Sequence, residues 1–337
     1  MPAEEQPILE VNNLTTVFET SDGVAVAVDD VSFSLRRGET LGIVGESGCG
    51  KSVTALSIMR LIQRPGKIIA GEILFEGQDL LSLSNKKMRM MRGSEIAMVF
   101  QEPMTSLNPV FTIGDQLTEG LLYHRNRSWN EAYETAVDML TRVGIPDPHE
   151  MMLEFPHQLS GGMRQRALIA MALACGPTIL IADEPTTAID VTVQAQVLQL
   201  INELKVEFGM SVLLITHDLG IVAETCDRVS IMYASHIVEC GSVREIFYSP
   251  RHPYTVGLLS SIPSNHRPKT RLSIIPGQVP RPTHYPTGCN FHSRCGYATE
   301  RCVNHQPQLS DLGGEHAVAC WNNSQVRLPE NMTRIRH

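Results

Sequence analysis

The sequence predicts an α/β fold with a parallel sheet at its core and a loop-rich appendage at its C-terminal end. Residues 41–44, 179–182 and 212–216 form short, continuous apolar runs of the kind that parallel sheets bury on both faces. The amphipathic stretch 191–208 separates the last two runs, so strand, helix and strand follow one another along the chain. After residue 250 prolines accumulate, and half of the eight cysteines lie between residues 289 and 320. This change predicts a loop-rich segment rather than a second sheet domain.

The composition argues against several classes of function. The 337 residues carry a formal net charge of −8, which gives no general attraction to nucleic acid or to an anionic membrane surface. The first residues are acidic and contain proline, without the basic and apolar stretches of an export signal, so we expect a cytosolic protein. The longest uncharged apolar stretch, 167–175, is far shorter than the roughly 18 residues that cross a bilayer. We therefore expect any membrane role to act through a partner.

The remaining elements follow from local patterns. Residues 8–35 contain three short apolar runs broken by polar turn residues, which predicts a small antiparallel β layer. Two further apolar runs, 71–75 and 96–100, are predicted strands on either side of a polar stretch. Residues 115–175 are mostly helical in pattern and predict a helical insertion in the α/β core.

A glycine-rich loop lies between the first parallel strand and a predicted helix. Residues 45–52 match G-x-x-x-x-G-K-[ST], in which glycines let backbone N–H groups approach phosphate oxygens closely. Lys51 adds a positive charge, and Ser52 adds a hydroxyl that can ligate magnesium. The N-terminal end of the following helix also favours an anion. The predicted nucleotide-binding residues are Gly45, Ser47, Gly48, Cys49, Gly50, Lys51 and Ser52.

The apolar run 179–182 ends in two adjacent carboxylates, Asp183 and Glu184. Asp183 can hold Mg²⁺ directly or through water. Glu184 is placed by the strand end to orient and deprotonate a water molecule aimed at a γ-phosphate. Together with the phosphate loop, these carboxylates predict magnesium-dependent hydrolysis of a nucleoside triphosphate.

A second glycine motif, Leu-Ser-Gly-Gly-Met-Arg-Gln, occupies residues 159–165. Ser160 and the N–H groups of Gly161 and Gly162 precede a helix start, which predicts a second anion-binding surface. A simple helix cap would explain Ser160 and one glycine, but not both. The motif resembles the signature loop of ATP-binding cassette (ABC) proteins. The resemblance implies a P-loop NTPase cassette with a RecA-like α/β core, an antiparallel β subdomain and a helical subdomain. It also implies two cassettes paired head to tail, each signature loop closing over the ATP of the other.

The same resemblance assigns roles to further positions. It implies that Gln101, after a predicted strand, ligates magnesium and reports ATP binding to a transmembrane partner. It implies that His217 contacts the γ-phosphate and positions the attacking water, and that Phe18 stacks on adenine. Asp190 and the two residues before it match the D-loop, with isoleucine where leucine is commoner. The expected catalytic residues are Lys51, Glu184 and His217, and ATP and Mg²⁺ are the expected ligands.

The C-terminal part carries further family motifs. Residues 251–259 (RHPYTVGLL), 275–277 (IPG), 288–291 (GCNF) and 294–295 (RC) resemble the C-terminal extension of ATPase subunits from bacterial dipeptide and oligopeptide importers. The resemblance implies a cassette at 1–250, with a helical subdomain at about 102–175, and an extension at 251–337.

Residues 101–109 (QEPMTSLNP) are also typical of that group, and they lie where the family docks the coupling helix of its membrane subunit. We expect an exposed Met, Leu and Pro cluster there that would suit a partner groove, while an internal turn is the alternative.

Four cysteines of the extension form a candidate metal site. Cys289, Cys295, Cys302 and Cys320 are separated by five, six and seventeen residues, without the tight C-x-x-C pair of a zinc ribbon. In a reducing compartment we expect thiols or metal ligands rather than disulfides. The residues alone leave an iron-sulfur cluster, zinc and unmetallated thiols open. The resemblance implies a [4Fe–4S] cluster, with Zn²⁺ as the alternative. The cysteines expected to be small packing residues are Cys49, Cys175, Cys226 and Cys240.

The resemblance implies an ATP-hydrolysing, energy-coupling subunit of a dipeptide or oligopeptide importer, peripheral on the cytoplasmic face of the inner membrane. Its implied partners are two transmembrane permease subunits, a second ABC ATPase that the family favours as a paralogue, and an extracytoplasmic peptide-binding protein. Importers of nickel chelates, opines and glutathione use similar ATPases and remain alternatives.

Two functions outside transport are also open. A non-transport cassette ATPase acting on nucleic acid or ribosomes usually has two cassettes, a coiled-coil insertion or a basic face, and this sequence shows none of these. A module that binds ATP without turnover is the other alternative, and Glu184 and His217 argue against it.

Overall fold

The computed structural model describes residues 6–101, 106–186, 190–262 and 274–329 of the chain. The chain divides into two compact units. Unit 1 consists of Met1–Leu35, Thr40–Leu81 and Ile215–His337, and unit 2 consists of Arg36–Glu39 and Ser82–Leu214.

Within the described residues, strands and helices alternate along most of the chain. The strands are β1 (Leu9–Thr20), β2 (Gly23–Leu35), β3 (Thr40–Val44), β4 (Gly66–Phe75), β5 (Gln78–Asp79), β6 (Ile96–Val99), β7 (Ile179–Asp183), β8 (Ser211–Thr216), β9 (Arg228–Tyr233), β10 (His236–Ser242), β11 (Ser310–Asp311) and β12 (Ala317–Val318). The helices are α1 (Lys51–Ile58), α2 (Asn85–Met91), α3 (Ile113–Arg125), α4 (Trp129–Arg142), α5 (Pro148–Met151), α6 (Gly161–Leu173), α7 (Val191–Phe208), α8 (Leu219–Thr225), α9 (Val243–Tyr248), α10 (Pro253–Ser260) and α11 (Glu300–Asn304).

The predicted antiparallel layer is the first sheet of unit 1, with the strand order β2-β1-β4-β5. Two of its predicted runs, on either side of Asp29 and Asp30, are joined in the single strand β2. An irregularity in the β1–β2 register accommodates the polar pair, because Asn13 and Asp30 both take a positive φ of 51° there. The Asn13 Nδ2 atom donates to the Asp30 carboxylate at 2.7 Å. A local side-chain bond therefore keeps β2 continuous.

The second sheet of unit 1 has the order β11-β12-β10-β9-β3. β3 runs parallel to β9 and is buried along its whole length, as its continuous apolar sequence predicts. β11 and β12 come from the C-terminal segment, the name used here for residues 251–337, and β12 pairs antiparallel with β10. The C-terminal segment is loop-rich, as predicted, but it also adds two short strands to this sheet.

Side chains of the C-terminal segment complete the core of unit 1. Tyr254 of α10 and Phe291 are almost fully buried, and both contact Tyr233 of β9. The Tyr233 ring centroid lies 4.6 Å from that of Tyr254 and 5.1 Å from that of Phe291. Aromatic pairs of this kind contribute about 0.5–1.5 kcal/mol each beyond the area they bury. The core of unit 1 therefore continues across the predicted boundary near residue 250.

Unit 2 combines parallel strands with the predicted helical insertion. Its strand order is β8-β7-β6, with β6 parallel to β7. Helices α3, α4 and α6 pack on one another through buried residues such as Leu121, Ala136 and Ile169. α3 and α4 begin with capping boxes at Thr112 and Ser128, which satisfy the first free N–H groups of each helix.

None of the helices that the structure describes has both the length and the apolar character required to cross a lipid bilayer.

Candidate functional site

The phosphate loop connects β3 to α1 in unit 1, as predicted. Gly50 is the N-cap of α1 and has a φ of 111°, which residues other than glycine rarely adopt. A Cβ atom on Gly50 would lie 2.2 Å from the carbonyl oxygen of Ala27. A Cβ atom on Gly45 would lie 2.1 Å from the carbonyl oxygen of Met232. Main-chain packing against neighbouring strands therefore requires glycine at both positions.

Lys51 is 5% exposed and folds back over this loop. Its Nζ atom donates to the carbonyl oxygens of Gly45 at 2.8 Å and Glu46 at 3.2 Å. These bonds hold the ammonium group against the main chain of the loop. The neighbouring Cys49 thiol is fully buried, and burial raises its pKa despite the opposing charge of Lys51. This cysteine is a neutral packing residue, in line with the sequence prediction.

Two further predicted residues lie in unit 1. Phe18 is half-buried near the end of β1, opposite Gly66 of β4, and its ring edge packs on the Gly66 backbone. His217 follows β8 and is exposed. The next residue, Asp218, accepts from the Gly220 N–H at 2.7 Å, and its own N–H donates to Thr216 Oγ1 at 3.0 Å. These bonds fix the backbone on the C-terminal side of His217.

The predicted carboxylates end β7 in unit 2. Asp183 is 4% exposed, and Glu184 is half-buried. Glu184 takes a φ of 46°, a left-handed conformation that is unfavourable for most side chains and is often found at functional sites. The Gln101 Nε2 atom donates to Glu184 Oε2 at 3.0 Å. The structure thus joins two predicted site residues that are 83 positions apart in the sequence.

The signature motif starts helix α6 in unit 2. The Ser160 side chain caps the helix by accepting from the Met163 N–H at 3.3 Å. A Cβ atom on Gly161 would meet no atom within 4 Å, so the space beside this glycine is open. The Cβ of an alanine at Gly162 would lie 3.1 Å from Val193 of α7. Asp190 caps α7 by accepting from the Val193 N–H at 3.0 Å. The other two D-loop residues, Ala188 and Ile189, lie outside the described residues.

An exposed groove lies on the helical part of unit 2. Its volume is about 710 Å³. Apolar side chains are prominent on it, with Phe111 51% and Trp129 60% exposed. The carboxylates of Asp115 and Glu119 also line it. The remaining lining residues are Asn108, Gln116, Thr118, Leu122 and Met171.

The prediction of an exposed Met, Leu and Pro cluster at residues 101–109 is wrong for its leucine. Leu107 is only 2% exposed and belongs to the core, whereas Pro109 is exposed. Met104 and Pro103 lie outside the described residues. The exposed apolar residues come slightly later in the chain, at Val110 and Phe111.

The four cysteines of the C-terminal segment line one small cavity in unit 1, together with His252, Phe291 and Trp321. Burial raises the pKa of the Cys289 thiol to about 11 and that of the Cys320 thiol to about 12, and the neighbouring cysteines add to both shifts. Both thiols are therefore protonated at neutral pH. Within the described part of the chain, no group of three or more His, Cys, Asp or Glu side chains is arranged to hold a metal ion.

Two contacts of Glu46, the second residue of the phosphate loop, were not predicted from the sequence. The Glu46 N–H donates to the Tyr254 hydroxyl at 2.9 Å. The Glu46 carboxylate accepts from the Arg294 guanidinium at 2.7 and 3.1 Å. The partners lie 208 and 248 positions away, so no local pattern could have indicated them.

Comparisons with known families agree with these features. The sequence matches the family described as "ABC transporter" over residues 28–187. It also matches the family described as "Oligopeptide/dipeptide transporter, C-terminal region" over residues 238–302.

Two bacterial proteins are similar over almost their whole length. A Brucella melitensis protein whose name assigns it to peptide import as an ATP-binding protein is 53% identical over 327 residues, covering 94% of this chain and 97% of that protein. A Sinorhizobium fredii protein named as a peptide ABC transporter ATP-binding protein is 52% identical over 321 residues, covering 95% of this chain and 96% of that protein.

Solved structures with a similar fold cover most of the chain. An ATP-binding cassette solved as a dimer in a post-hydrolysis state, with ADP and phosphate bound, superposes with a TM-score of 0.63 at 27% identity. It covers 70% of this chain and 99% of that chain. CbiO1 of Clostridium perfringens, part of an ABC transporter complex, superposes with a TM-score of 0.61 at 29% identity, over 72% of this chain and 91% of that chain.

Proposed function

Because this chain belongs to the ABC transporter family as an ATP-binding subunit, we propose that it hydrolyses ATP to drive the import of dipeptides or oligopeptides. The observation that carries the proposal is the occurrence, in one chain, of a cassette match and a C-terminal match to oligopeptide and dipeptide transporters. The test is uptake of labelled peptides by cells that contain the complete transporter. Lys51→Ala should abolish uptake, and uptake that persists in this variant would contradict the proposal.

Each predicted site residue has a chemical role in this function. Lys51 binds the phosphates, and His217 positions the attacking water. Ser52, Asp183 and Gln101 offer the hydroxyl, carboxylate and amide oxygens that Mg²⁺ prefers. The donation from Gln101 Nε2 to Glu184 fits this role, because it leaves the amide oxygen of Gln101 as an acceptor for the cation. When bound at these residues, Mg²⁺ would neutralise part of the phosphate charge.

Glu184 acts as the general base. Glu184→Gln removes the basic group but keeps an acceptor for the Gln101 amide. We expect ATP turnover to fall by about 10²–10³-fold while ATP binding is retained. The measurement is steady-state phosphate release by the whole transporter, with binding of an ATP analogue as the control. Unchanged turnover would remove Glu184 from the mechanism.

The signature motif acts on a second cassette. Ser160, Gly161 and Gly162 at the start of α6 would contact the ATP held by the phosphate loop of a partner ATPase, for which we favour a paralogue. The open space beside Gly161 suits the approach of such an anion. Phe18 is our candidate for stacking on the adenine ring.

The groove of unit 2 is our candidate docking site for a transmembrane permease subunit, which would place the ATPase on the cytoplasmic face of the membrane. An apolar groove with Phe111 and Trp129 suits the apolar face of a short permease helix, and Asp115 and Glu119 suit basic residues on that helix. An extracytoplasmic peptide-binding protein would then deliver the solute to the two permease subunits.

A matched pair of variants tests the groove. Trp129→Asp should reduce co-purification of the permease subunits at least about tenfold, because it places a charge where an apolar contact is expected. Leu153 is 73% exposed in the same unit but lies outside the groove, so Leu153→Asp is the control. Equal recovery of permease with both variants would contradict this assignment.

Nickel chelates, opines and glutathione are alternative solutes for an importer of this group. Each can be tested as a competitor of labelled-peptide uptake, and a solute of this transporter should reduce that uptake. A non-transport ATPase acting on nucleic acid or ribosomes is the less favoured function, given the net charge of −8. Recovery of ribosomal subunits instead of two membrane proteins with the tagged chain would support that function.

We further propose that the C-terminal segment, which we delimit as residues 251–337, binds a [4Fe–4S] cluster through its four cysteines. The support is the placement of all four around one cavity, in a segment with little regular structure. The ligands must lose their protons, so binding would release the protons that burial now holds on the thiols.

Anaerobic purification and metal analysis test this proposal. We expect a brown protein with about four iron atoms and four sulfides per chain. Cys320→Ser should lose the colour, whereas Cys240→Ser, on β10 and outside the cavity, should keep it. A colourless anaerobic preparation that contains zinc would contradict the cluster and indicate that the four cysteines bind Zn²⁺ instead.

A further inference from the structure

Glu46 places a carboxylate inside the loop that must accept a triphosphate. Its side chain is 31% exposed, and the residue sits between Gly45 and the remainder of the phosphate loop. A negative charge near bound phosphates opposes their binding, more strongly where the surroundings exclude water. The loop therefore needs a means of neutralising this carboxylate or directing it away from the phosphates.

Arg294 provides a neutralising partner from the C-terminal segment. Its guanidinium donates through Nη1 to Glu46 Oε2 at 2.7 Å and through Nη2 to Oε1 at 3.1 Å. This two-bond arrangement fixes the orientation of the carboxylate as well as its charge. The Arg294 side chain is only 4% exposed, so solvent screens the pair less than it screens a surface ion pair.

The guanidinium is itself held in place on its other sides. Arg294 Nε donates to the Pro276 carbonyl at 2.8 Å, and Nη1 lies 3.4 Å from the Tyr233 hydroxyl oxygen, to which it also donates. The guanidinium carbon lies 5.7 Å from the Tyr233 ring centroid and 5.9 Å from that of Phe291. Burial disfavours the charged form, but the bonds to Glu46 and Tyr233 outweigh burial and raise the pKa of Arg294. The residue is therefore a fixed positive charge.

Other contacts hold the same loop from the same side. The Glu46 N–H donates to the Tyr254 hydroxyl, so this N–H is directed towards the C-terminal segment. The Ser235 N–H donates to the Cys49 carbonyl at 3.0 Å. Asn290 Nδ2 in turn donates to the carbonyl of Ala234, the residue before Ser235, at 2.9 Å. The C-terminal segment thus contacts the phosphate loop both directly and through the β9–β10 turn.

We propose that Arg294 is a positioning residue for ATP binding: it neutralises Glu46 and holds the phosphate loop in the conformation that accepts the triphosphate. The C-terminal segment thereby sets the affinity of the cassette for nucleotide. This inference rests on the proposed function in one respect, namely that the loop binds ATP.

The test is a double-mutant cycle on the full chain, with affinity for a magnesium-bound, non-hydrolysable ATP analogue measured by titration calorimetry. Arg294→Gln should weaken binding by about five- to tenfold, because it leaves the Glu46 charge unpaired. Arg294→Lys keeps the charge but loses the two-bond geometry, and should weaken binding by only about two- to threefold. In a Glu46→Gln background, Arg294→Gln should change the affinity by less than about twofold.

Arg301 is the matched control. It also belongs to the C-terminal segment, and its guanidinium carbon lies 3.6 Å from the Trp321 ring centroid, so it packs within that segment rather than on the phosphate loop. Arg301→Gln should leave nucleotide affinity unchanged, even where it lowers the melting temperature. A purely structural Arg294 would give the same loss of affinity in both Glu46 backgrounds, and that result would overturn the proposal.

Nucleotide binding by the wild-type chain tests the proposed function, and the change in affinity in the variants tests the role of Arg294. Absence of nucleotide binding by the wild-type chain would contradict the proposed function itself. Binding by the wild type together with unchanged affinity in Arg294→Gln would overturn only the role of Arg294. Should Arg294→Gln not fold, the lysine variant still decides, because wild-type affinity in Arg294→Lys would show that the two-bond contact with Glu46 does not position the loop, which would also overturn the proposal.

Discussion

The phosphate loop and the cysteine segment, residues 288–320, are both loops that surround a small space, but they are held in different ways. In the phosphate loop the main chain does most of the holding, since Gly45 and Gly50 lie directly against backbone carbonyls of neighbouring strands. In the cysteine segment regular structure is limited to short helices and two-residue strands, and buried thiols line the space.

The two regions therefore take their shape from different parts of the chain, the main chain in one and the side chains in the other. A loop built from main-chain packing is preorganised, so an incoming ligand meets a backbone that is already in place. A loop built around neutral thiols depends on side chains whose protonation and ligands can change. Arg294 belongs to the second region and contacts the first, so it links the two.

We expect the largest loss of stability from a substitution that disrupts the main-chain packing of the phosphate loop. Gly50→Ala should lower the free energy of unfolding by about 4 kcal/mol, because it adds both a strained φ and a clash with the Ala27 carbonyl. Gly48→Ala is the matched variant, since Gly48 also has a positive φ, of 79°, but its Cβ would meet no atom within 4 Å. It should cost only about 1–2 kcal/mol. The free energies of unfolding are measured by chemical denaturation. If both variants lose the same amount, backbone strain and not packing against Ala27 explains the requirement for Gly50.

The phosphate loop could be predicted because its chemistry is encoded in eight consecutive residues. The carboxylates at the end of β7 and the cap at Ser160 could be predicted for the same reason, since a strand end and a helix start are local patterns. Gln101 and Glu184 could each be predicted as site residues, but their contact could not, because they lie 83 positions apart in the sequence.

Other features depend on packing that no local pattern records. Leu107 follows a polar and proline-containing stretch, yet it is buried. The strand β2 continues through Asp30 because Asn13, on the neighbouring strand, supplies a hydrogen bond at the bulge. The sequence presents Arg294 only as part of a motif of the C-terminal extension, and only the fold places it on Glu46.

The cysteine segment borders a buried histidine, which we expect to make the stability of the protein sensitive to acid. His252, which lines the cysteine cavity, is 1% exposed, and burial lowers its pKa to about 4 although Glu239 opposes the shift. The unfolded chain takes up a proton near pH 6.5, whereas the folded chain does so only near pH 4. Stability is therefore lost as the pH falls between these values, by about 3 kcal/mol in total.

The variant His252→Asn isolates this contribution. Its side-chain oxygen can still accept from the Tyr254 N–H, as His252 Nδ1 does at 3.1 Å, but it cannot be protonated in this range. We expect the melting temperature of the wild type to fall more steeply than that of the variant between pH 6.5 and 4. Parallel curves would assign the acid sensitivity to groups other than His252.

We expect the smallest loss of stability at two serine helix caps in unit 2, which accept from a backbone N–H at the same distance. Ser160 caps α6 and Ser84 caps α2, both are exposed, and each accepts from a backbone N–H at 3.3 Å. Replacement by alanine should cost about 1 kcal/mol of stability in each case. Only Ser160→Ala should also lower ATP turnover of the paired cassettes, by about tenfold, because only this serine is proposed to contact the partner's nucleotide. A comparable loss of turnover in Ser84→Ala would attribute both effects to stability, and Ser160 would then be a cap like the other.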